Sequence, residues 1–262
     1  MTVAPVTLAA LIIATLFVAL LPLALYRFLR RPMALDKRDA IIGVIVFTLF
    51  ATLLERAFYG LVLSQPAAMQ WFAKPAAFLA FSMATAALFE EVGRYLGMRV
   101  LARRYGGSAG DSRGLGHGIG YGGAQAWFVG VLVLGQWVYL AWLANRGQLN
   151  EQLATMPANL ALRIQVMLAT LSVQSITVMV LERVAALAFQ VLLSVLMWRG
   201  VRAGKHWILP LLIIVHPLGD LPSILYNLGA VPFGWMIAGY VLIAALPALW
   251  LVRQCRPAAA AA

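Results

Sequence analysis

The sequence predicts an all-α polytopic membrane bundle of seven, or at most eight, transmembrane helices. Three observations carry that prediction. Hydrophobic residues make up 63% of the 262 residues and charged residues only 11%, with a mean hydropathy of +0.88. Several apolar runs reach the roughly 20 residues that a helix needs to cross a bilayer. The basic residues fall between those runs, in a pattern that alternates from one side of the membrane to the other.

Taken in order, the spans are expected at about residues 4–26, 41–63, 75–101, 115–144, 177–198, 206–228 and 231–252. No Lys or Arg precedes Arg27, so the basic leader of a signal peptide is missing and the first run reads as a retained span. Arg27, Arg30, Arg31, Lys37 and Arg38 separate spans one and two. Arg99, Arg103, Arg104 and Arg113 separate three and four. Arg199, Arg202 and Lys205 separate five and six, and Arg253 and Arg256 follow seven. These are fourteen of the twenty basic residues, whereas the opposite loops hold only Lys74, Arg146 and Arg163. The positive-inside rule then puts the N-terminus outside and the C-terminus in the cytoplasm, at a cell or inner membrane. The net charge of +11 is thereby a topology signal, and a nucleic-acid partner is excluded.

The segment 150–176 mixes Glu151, Gln152, Asn159, Arg163, Gln165 and Gln174 into an apolar pattern. It is expected as an amphipathic helix on the outer surface; were it a span, the count would be eight and the downstream charge pattern would fail. Trp71, Trp198 and Trp207 fall at span ends, where aromatic anchors are expected. Cys255 is the one cysteine, which excludes an internal disulfide and a cysteine-rich metal site, and it reads as an inert thiol. Ala258–Ala262 is low-complexity sequence. Residues 1–262 are expected to form a single integral-membrane domain, with a site region at about 85–225.

The functional signal is charge inside the apolar runs. Phe89-Glu90-Glu91-Val92-Gly93-Arg94 puts two adjacent carboxylates and an arginine in the third span. A charge at mid-bilayer costs about 2.5–3.5 kcal/mol on insertion scales, so such residues face a polar interior and mark function. Arg94 stands i,i+4 from Glu90 and i,i+3 from Glu91 and can neutralise either. His216, about ten residues into the sixth span, comes to similar depth at roughly 1.5 Å per residue, and Asp220 follows it at i+4. Adjacent helical residues diverge by about 100°, so the spacing does not choose between Glu90 and Glu91 as the inward acid.

The fourth span opens Gly114-Leu115-Gly116-His117-Gly118-Ile119-Gly120-Tyr121-Gly122-Gly123, six glycines in ten residues. Two readings stand side by side: a tight helix crossing, or a bent helix that admits a substrate. Glu55-Arg56 and Glu182-Arg183 read as structural ion pairs able to pair crosswise. Carboxylates with a histidine can activate water or hold a metal. Glu90, Glu91, His216, Asp220 and His117 are enough donors in number for zinc but poor in histidine. An ion-pair network that locks helices together is the other use of the same residues.

Paired glutamates and an arginine on one helix, a glycine-rich helix, Glu182-Arg183, and then His216-Pro217-Leu218-Gly219-Asp220 resemble the YhfC-type intramembrane metalloproteases. These are related in plan to the CPBP/CAAX-processing membrane peptidases. The order of the motifs is the specific part of the resemblance, and Phe-Glu-Glu-x-Gly-Arg-Tyr at 89–95 is its closest stretch. The resemblance implies hydrolysis of a peptide bond within or near the membrane. Its catalytic residues would be Glu90, Glu91, Arg94, His216 and Asp220, with Asp220 orienting His216. Zinc is the implied metal, on His216 and Glu90, with His117, one turn from Tyr121, as a partial substitute ligand; a metal-free site stands beside it. A membrane peptide or protein is the implied substrate or partner.

The chain departs from the pattern at three places. Tyr121 and Gln125 stand where Gly-His-Gly-Gly-x-Glu would put a histidine and a glutamate, and Gln190 stands where Phe-His would put a second histidine. These departures favour the alternative, a non-catalytic pseudoprotease binding a peptide, a lipid or a partner protein. A small proton-coupled carrier is a third class, disfavoured because no inverted repeat or paired broken helices are visible.

Overall fold

In a computed structural model, residues 2–106 and 110–255 are described, and they fold into helices with no strand among them. The helices are α1 (Pro5–Arg30), α2 (Lys37–Leu63), α3 (Pro66–Phe72), α4 (Pro75–Tyr105), α5 (Ser112–Asn145), α6 (Leu149–Ala154), α7 (Ala158–Thr170), α8 (Val173–Arg202), α9 (Ile208–Val215), α10 (Leu221–Asn227) and α11 (Phe233–Cys255). Among the described residues six helices are long and apolar enough to cross a membrane, namely α1, α2, α4, α5, α8 and α11, and the bent run from α9 to α10 makes a seventh if it counts as one span. Residues such as Ile13, Leu16, Leu20, Leu132 and Leu246 are exposed on their outer faces, as a lipid-facing surface requires. The chain is a multi-pass integral membrane protein.

Local sequence sets the helix ends. Proline occupies the first turn of α1, α3 and α4, where its missing N–H has no intrahelical partner to lose. The Asp36 carboxylate accepts from the Arg38 amide at 2.9 Å and starts α2. Ser172 and Ser175 cap each other's backbone at the start of α8. Gly147 and Gly204 take φ of +74° and +67° just past α5 and α8, a left-handed turn that releases the chain without a Cβ clash.

The glycines of α5 decide the packing. This helix lies between α2 and α8 and touches each with its backbone. A Cβ on Gly120 would sit 1.9 Å from the Ala40 carbonyl oxygen, and one on Gly43 of α2 would sit 2.2 Å from the His117 carbonyl oxygen. On the other face, a Cβ on Gly118 would come 2.7 Å from Val191 Cα, and one on Gly114 would come 2.9 Å from Val195 Cα. The i,i+4 set Gly116/Gly120 therefore faces α2, and Gly114/Gly118/Gly122 faces α8. Of the two readings of this stretch, the tight crossing is the one observed, on two faces at once.

Three elements depart from straight α-helix. Thr48–Leu54 in α2 and Ala126–Val131 in α5 are π-helical, an insertion that rotates the residues beyond it and is frequent near functional sites. The sixth apolar run, expected as one helix over 206–228, is broken. α9 ends at Val215, His216–Gly219 is a 3₁₀ turn, and α10 leaves at a bend of 46°. Pro217 and Pro222 remove two backbone donors from this stretch, which accounts for the break.

The segment after α5 forms two short helices, α6 and α7. The 13 residues of α7 span only about 20 Å against a hydrocarbon core of roughly 30 Å. Leu149, Leu153, Ile164 and Leu168 are buried on the apolar cluster that includes Leu11 and Ala141, while Glu151, Gln152, Asn159 and Arg163 are exposed. That is the amphipathic arrangement expected of 150–176, and the eighth span is not formed.

Trp71 and Trp207 are exposed at helix ends, as anchors would be. Trp198 corrects the expectation. It is 0% exposed, packs with Met98, Leu101 and Leu212, and donates its indole N–H to the Gly110 carbonyl at 3.0 Å. The side chain of Cys255 and the run Ala258–Ala262 lie outside the described residues.

Candidate intramembrane site

α4 carries Glu90, Glu91 and Arg94, all buried. Both acids enter the interior because each has its own set of partners. Glu91 accepts from Arg94 Nε at 3.1 Å and meets His216 Nδ1 at 2.7 Å. Glu90 accepts on a single oxygen, Oε2, from the Gln190 amide at 2.9 Å and from the Tyr121 hydroxyl at 3.2 Å. That same oxygen stands 3.8 Å from His216 Nε2. One imidazole thus bridges the two glutamates, one on each nitrogen. Because Glu91 presents acceptors, Nδ1 is the donor and Nε2 is left facing Glu90.

Arg94 is 0% exposed and is the hub of the network. Besides Glu91, it donates to the Gln190 carbonyl at 3.0 Å, to the Gln190 side-chain oxygen and to the Ser194 hydroxyl. Its guanidinium lies over the Tyr121 ring, 4.2 Å from the centroid. A planar fork of five donors suits this task, and a lysine could not make the same set. Gln190 turns two ways at once: its oxygen accepts from Arg94 while its nitrogen donates to Glu90.

Glu90, His216, Gln190, Gln125 and Asp220 line one cavity of about 60 Å³. The Gln125 side-chain oxygen is buried there without a hydrogen-bond partner. Gly219 lets the 3₁₀ turn approach α8, where a Cβ would meet the Phe189 ring at 2.8 Å.

The structure therefore brings Glu90, Glu91, Arg94 and His216 together and sets Asp220 at the cavity wall. It does not give Asp220 the role of orienting His216. The i+4 argument assumed an α-helix, and the break at His216–Gly219 removes that geometry. Among the described residues no hydrogen bond joins the two side chains, and Glu91 holds the ring instead. His117 is apart from the cavity. It stacks on Tyr121 with centroids 5.8 Å apart, its Nδ1 faces Ser194 Oγ at 3.5 Å, and its Nε2 has no partner and points toward Gly97. The crosswise pairing of the two Glu-Arg dipeptides is not made, since Glu182 pairs with its neighbour Arg183.

Besides Gln125 on the cavity wall and Ser194 on Arg94, three residues outside the expected catalytic set approach its charges. Tyr121 and Gln190 contact Glu90 directly, and the motif departures marked both positions in advance. Glu55 follows the π-helical turn of α2 and interacts electrostatically with Glu90 and His216. Its sequence neighbourhood gave only an ion-pair signal, because a π insertion is invisible to a 3.6-residue period.

Zinc does not fit this donor set. A catalytic zinc takes about three protein ligands and one open position. Among the described residues no three of His, Cys, Asp or Glu converge on a common point. His216 Nε2 and Glu90 Oε2, 3.8 Å apart, face one cavity as a pair of ligand donors and not as three. Tyr121 and Gln190, at the positions where the resemblance implies histidines, turn hydrogen-bond donors toward Glu90.

Fold and site together define a polytopic membrane protein with a buried glutamate–histidine–arginine centre in its helical bundle. More narrowly, the family model described as YhfC intramembrane metalloprotease matches residues 17–241, and the chain belongs to that family. A curated relative, "Uncharacterized membrane protein YhfC" of Bacillus subtilis (strain 168), is 30% identical over 244 residues, covering 90% of this chain and 92% of the relative. No solved structure matches.

Proposed function

We propose that this protein is an intramembrane peptidase that hydrolyses a peptide bond in or near the membrane with water activated by Glu90 and His216, without a zinc ion. The reading rests on one observation: His216 is held on Nδ1 by Glu91 and presents Nε2 beside Glu90 at 3.8 Å, at the wall of a shared cavity. A water at about 2.8–2.9 Å from each of those two atoms fits a triangle on that base. His216 Nε2 would take its proton as general base and return it to the leaving amine nitrogen as the C–N bond breaks, with Glu91 and Arg94 positioning the ring and balancing its charge. The Gln125 amide, on the same cavity, would donate to the oxygen on which charge develops. Asp220 would be the group nearest the entry from the bent run. In this reading the N-terminus is outside, the C-terminus is cytoplasmic, and a membrane peptide or protein is the substrate.

A second reading, a non-catalytic membrane protein that binds a peptide, a lipid or a partner, is favoured by a different observation. Tyr121 and Gln190 both donate to Glu90 Oε2, and Arg94 engages the Gln190 oxygen, so the polar groups are largely satisfied by one another. The two readings part in cells expressing the wild type, Glu90→Gln or His216→Ala at equal abundance, with new N-termini in the membrane proteome read by mass spectrometry. Hydrolysis predicts N-termini that vanish in both variants and persist in wild-type membranes treated with a chelator. Identical N-termini in all three would overturn it in favour of binding. Loss on chelation would overturn the zinc-free mechanism.

A further inference from the structure

A groove of about 470 Å³ opens on the outer face of the bundle, away from the glutamate–histidine centre. Its walls are α1 at Pro22, Leu23 and Tyr26 and α2 from Lys37 to Val44, and its floor is α5 at Gly120 and Gly123. These two glycines bring the floor close against both walls: a Cβ on Gly123 would already touch Pro22 at 3.0 Å, and one on Gly120 would meet the Ala40 carbonyl. Trp127 and Phe128 close the end that lies deeper in the bilayer. The volume is within the roughly 300–1,000 Å³ range of ligand sites.

The groove wall is apolar throughout, with Lys37 contributing its aliphatic stem and Tyr26 its ring at the α1–α2 connection; the Tyr26 hydroxyl is buried out of reach. A second cavity shares Tyr26 and is lined by Arg27, Arg30 and Arg31. None of these four cations makes an ion pair among the described residues. The acids nearby are engaged elsewhere, with Asp36 capping α2 and Asp39 bonded to Arg113 at 3.2 Å. An apolar slot beside a group of unneutralised cations matches an acyl chain joined to an anionic headgroup.

We propose that this groove is a binding site for an anionic phospholipid, with one acyl chain lying between α1 and α2 on the glycine floor. The phosphate accepts from Lys37 and from the Arg27, Arg30 and Arg31 side chains around the α1–α2 connection. Basic pockets between helices at the headgroup level recognise lipids in this way.

Native mass spectrometry of the full-length protein in detergent tests the assignment, with phosphatidylglycerol and phosphatidylcholine of identical acyl chains as probes. Wild type is expected to retain phosphatidylglycerol about tenfold more than phosphatidylcholine. Lys37→Gln with Arg30→Gln is expected to remove most of that preference. Ile41→Trp, which fills the groove from the exposed side of α2, is expected to weaken retention of both lipids. Near-UV circular dichroism checks that each variant is folded, and where one is not, Lys37→Gln alone carries the charge arm. Equal retention of the two lipids by wild type overturns the proposal. So does competition by glycerol 3-phosphate, which would assign a phosphate site without a chain. Charge-independent displacement by a hydrophobic transmembrane peptide would assign the groove to a peptide and overturn it as well.

Discussion

Replacing Arg94 by methionine keeps most of the apolar stem and removes the guanidinium. Glu91 then loses its Nε–H donor, and Gln190 and Ser194 lose theirs. Removing one partner of a buried ion pair costs about 3–5 kcal/mol, because the remaining charge is left in low dielectric. Glu91 keeps His216 at 2.7 Å, which offsets part of that loss. Unpartnered Gln190 and Ser194 groups add at least about 1 kcal/mol. A net destabilisation of about 4 kcal/mol is expected, nearly a thousandfold in the unfolding equilibrium. The assay is reversible unfolding in mixed detergent–dodecyl sulfate micelles, followed by tryptophan fluorescence. Arg94→Met with Glu91→Gln removes the orphaned charge as well, and the pair of substitutions is expected to be at least about 1 kcal/mol more stable than Arg94→Met alone. A single variant within about 1 kcal/mol of wild type, or costs that simply add, would refute the hub role assigned to this arginine.

Two further outcomes follow from the packing and the donor set. Gly120→Ala drives a Cβ into the Ala40 carbonyl and should lower stability by several kcal/mol. Gly60→Ala, which meets nothing within 4 Å, should be neutral or raise it by up to about 1 kcal/mol in the same unfolding assay. Tyr121→His with Gln190→His converts two donors on Glu90 into metal ligands, and zinc binding by the purified protein should rise at least about tenfold over wild type; no gain would mean that the two side chains do not address a common point with Glu90.

The class and the span order were legible in the sequence because insertion into lipid depends on composition summed over twenty residues, which folding does not alter. The charge distribution and the depth of Glu90, Glu91, His216 and Gln190 follow from counting along helices, and that counting held wherever the helix was regular. It failed for Asp220, because two prolines break the sixth run and an i+4 relation has no meaning across a 3₁₀ turn. It missed Glu55 for the same kind of reason, since a π-helical insertion shifts every residue beyond it. Trp198 read as an anchor by its position near the end of α8, yet it packs against Met98 and Leu101 of α4 and Leu212 of α9 and is buried.

Tertiary structure alone decided how the pieces meet. Six glycines in ten residues permitted either a crossing or a bend, and only the backbones of α2 and α8 on either side of α5 select the crossing. Adjacent glutamates diverge on any helix, so no sequence period could say which is used. Both are, because His216 arrives from a broken helix with one nitrogen for each. Sequence fixes what a residue can donate or accept, and the packing of distant helices fixes to whom.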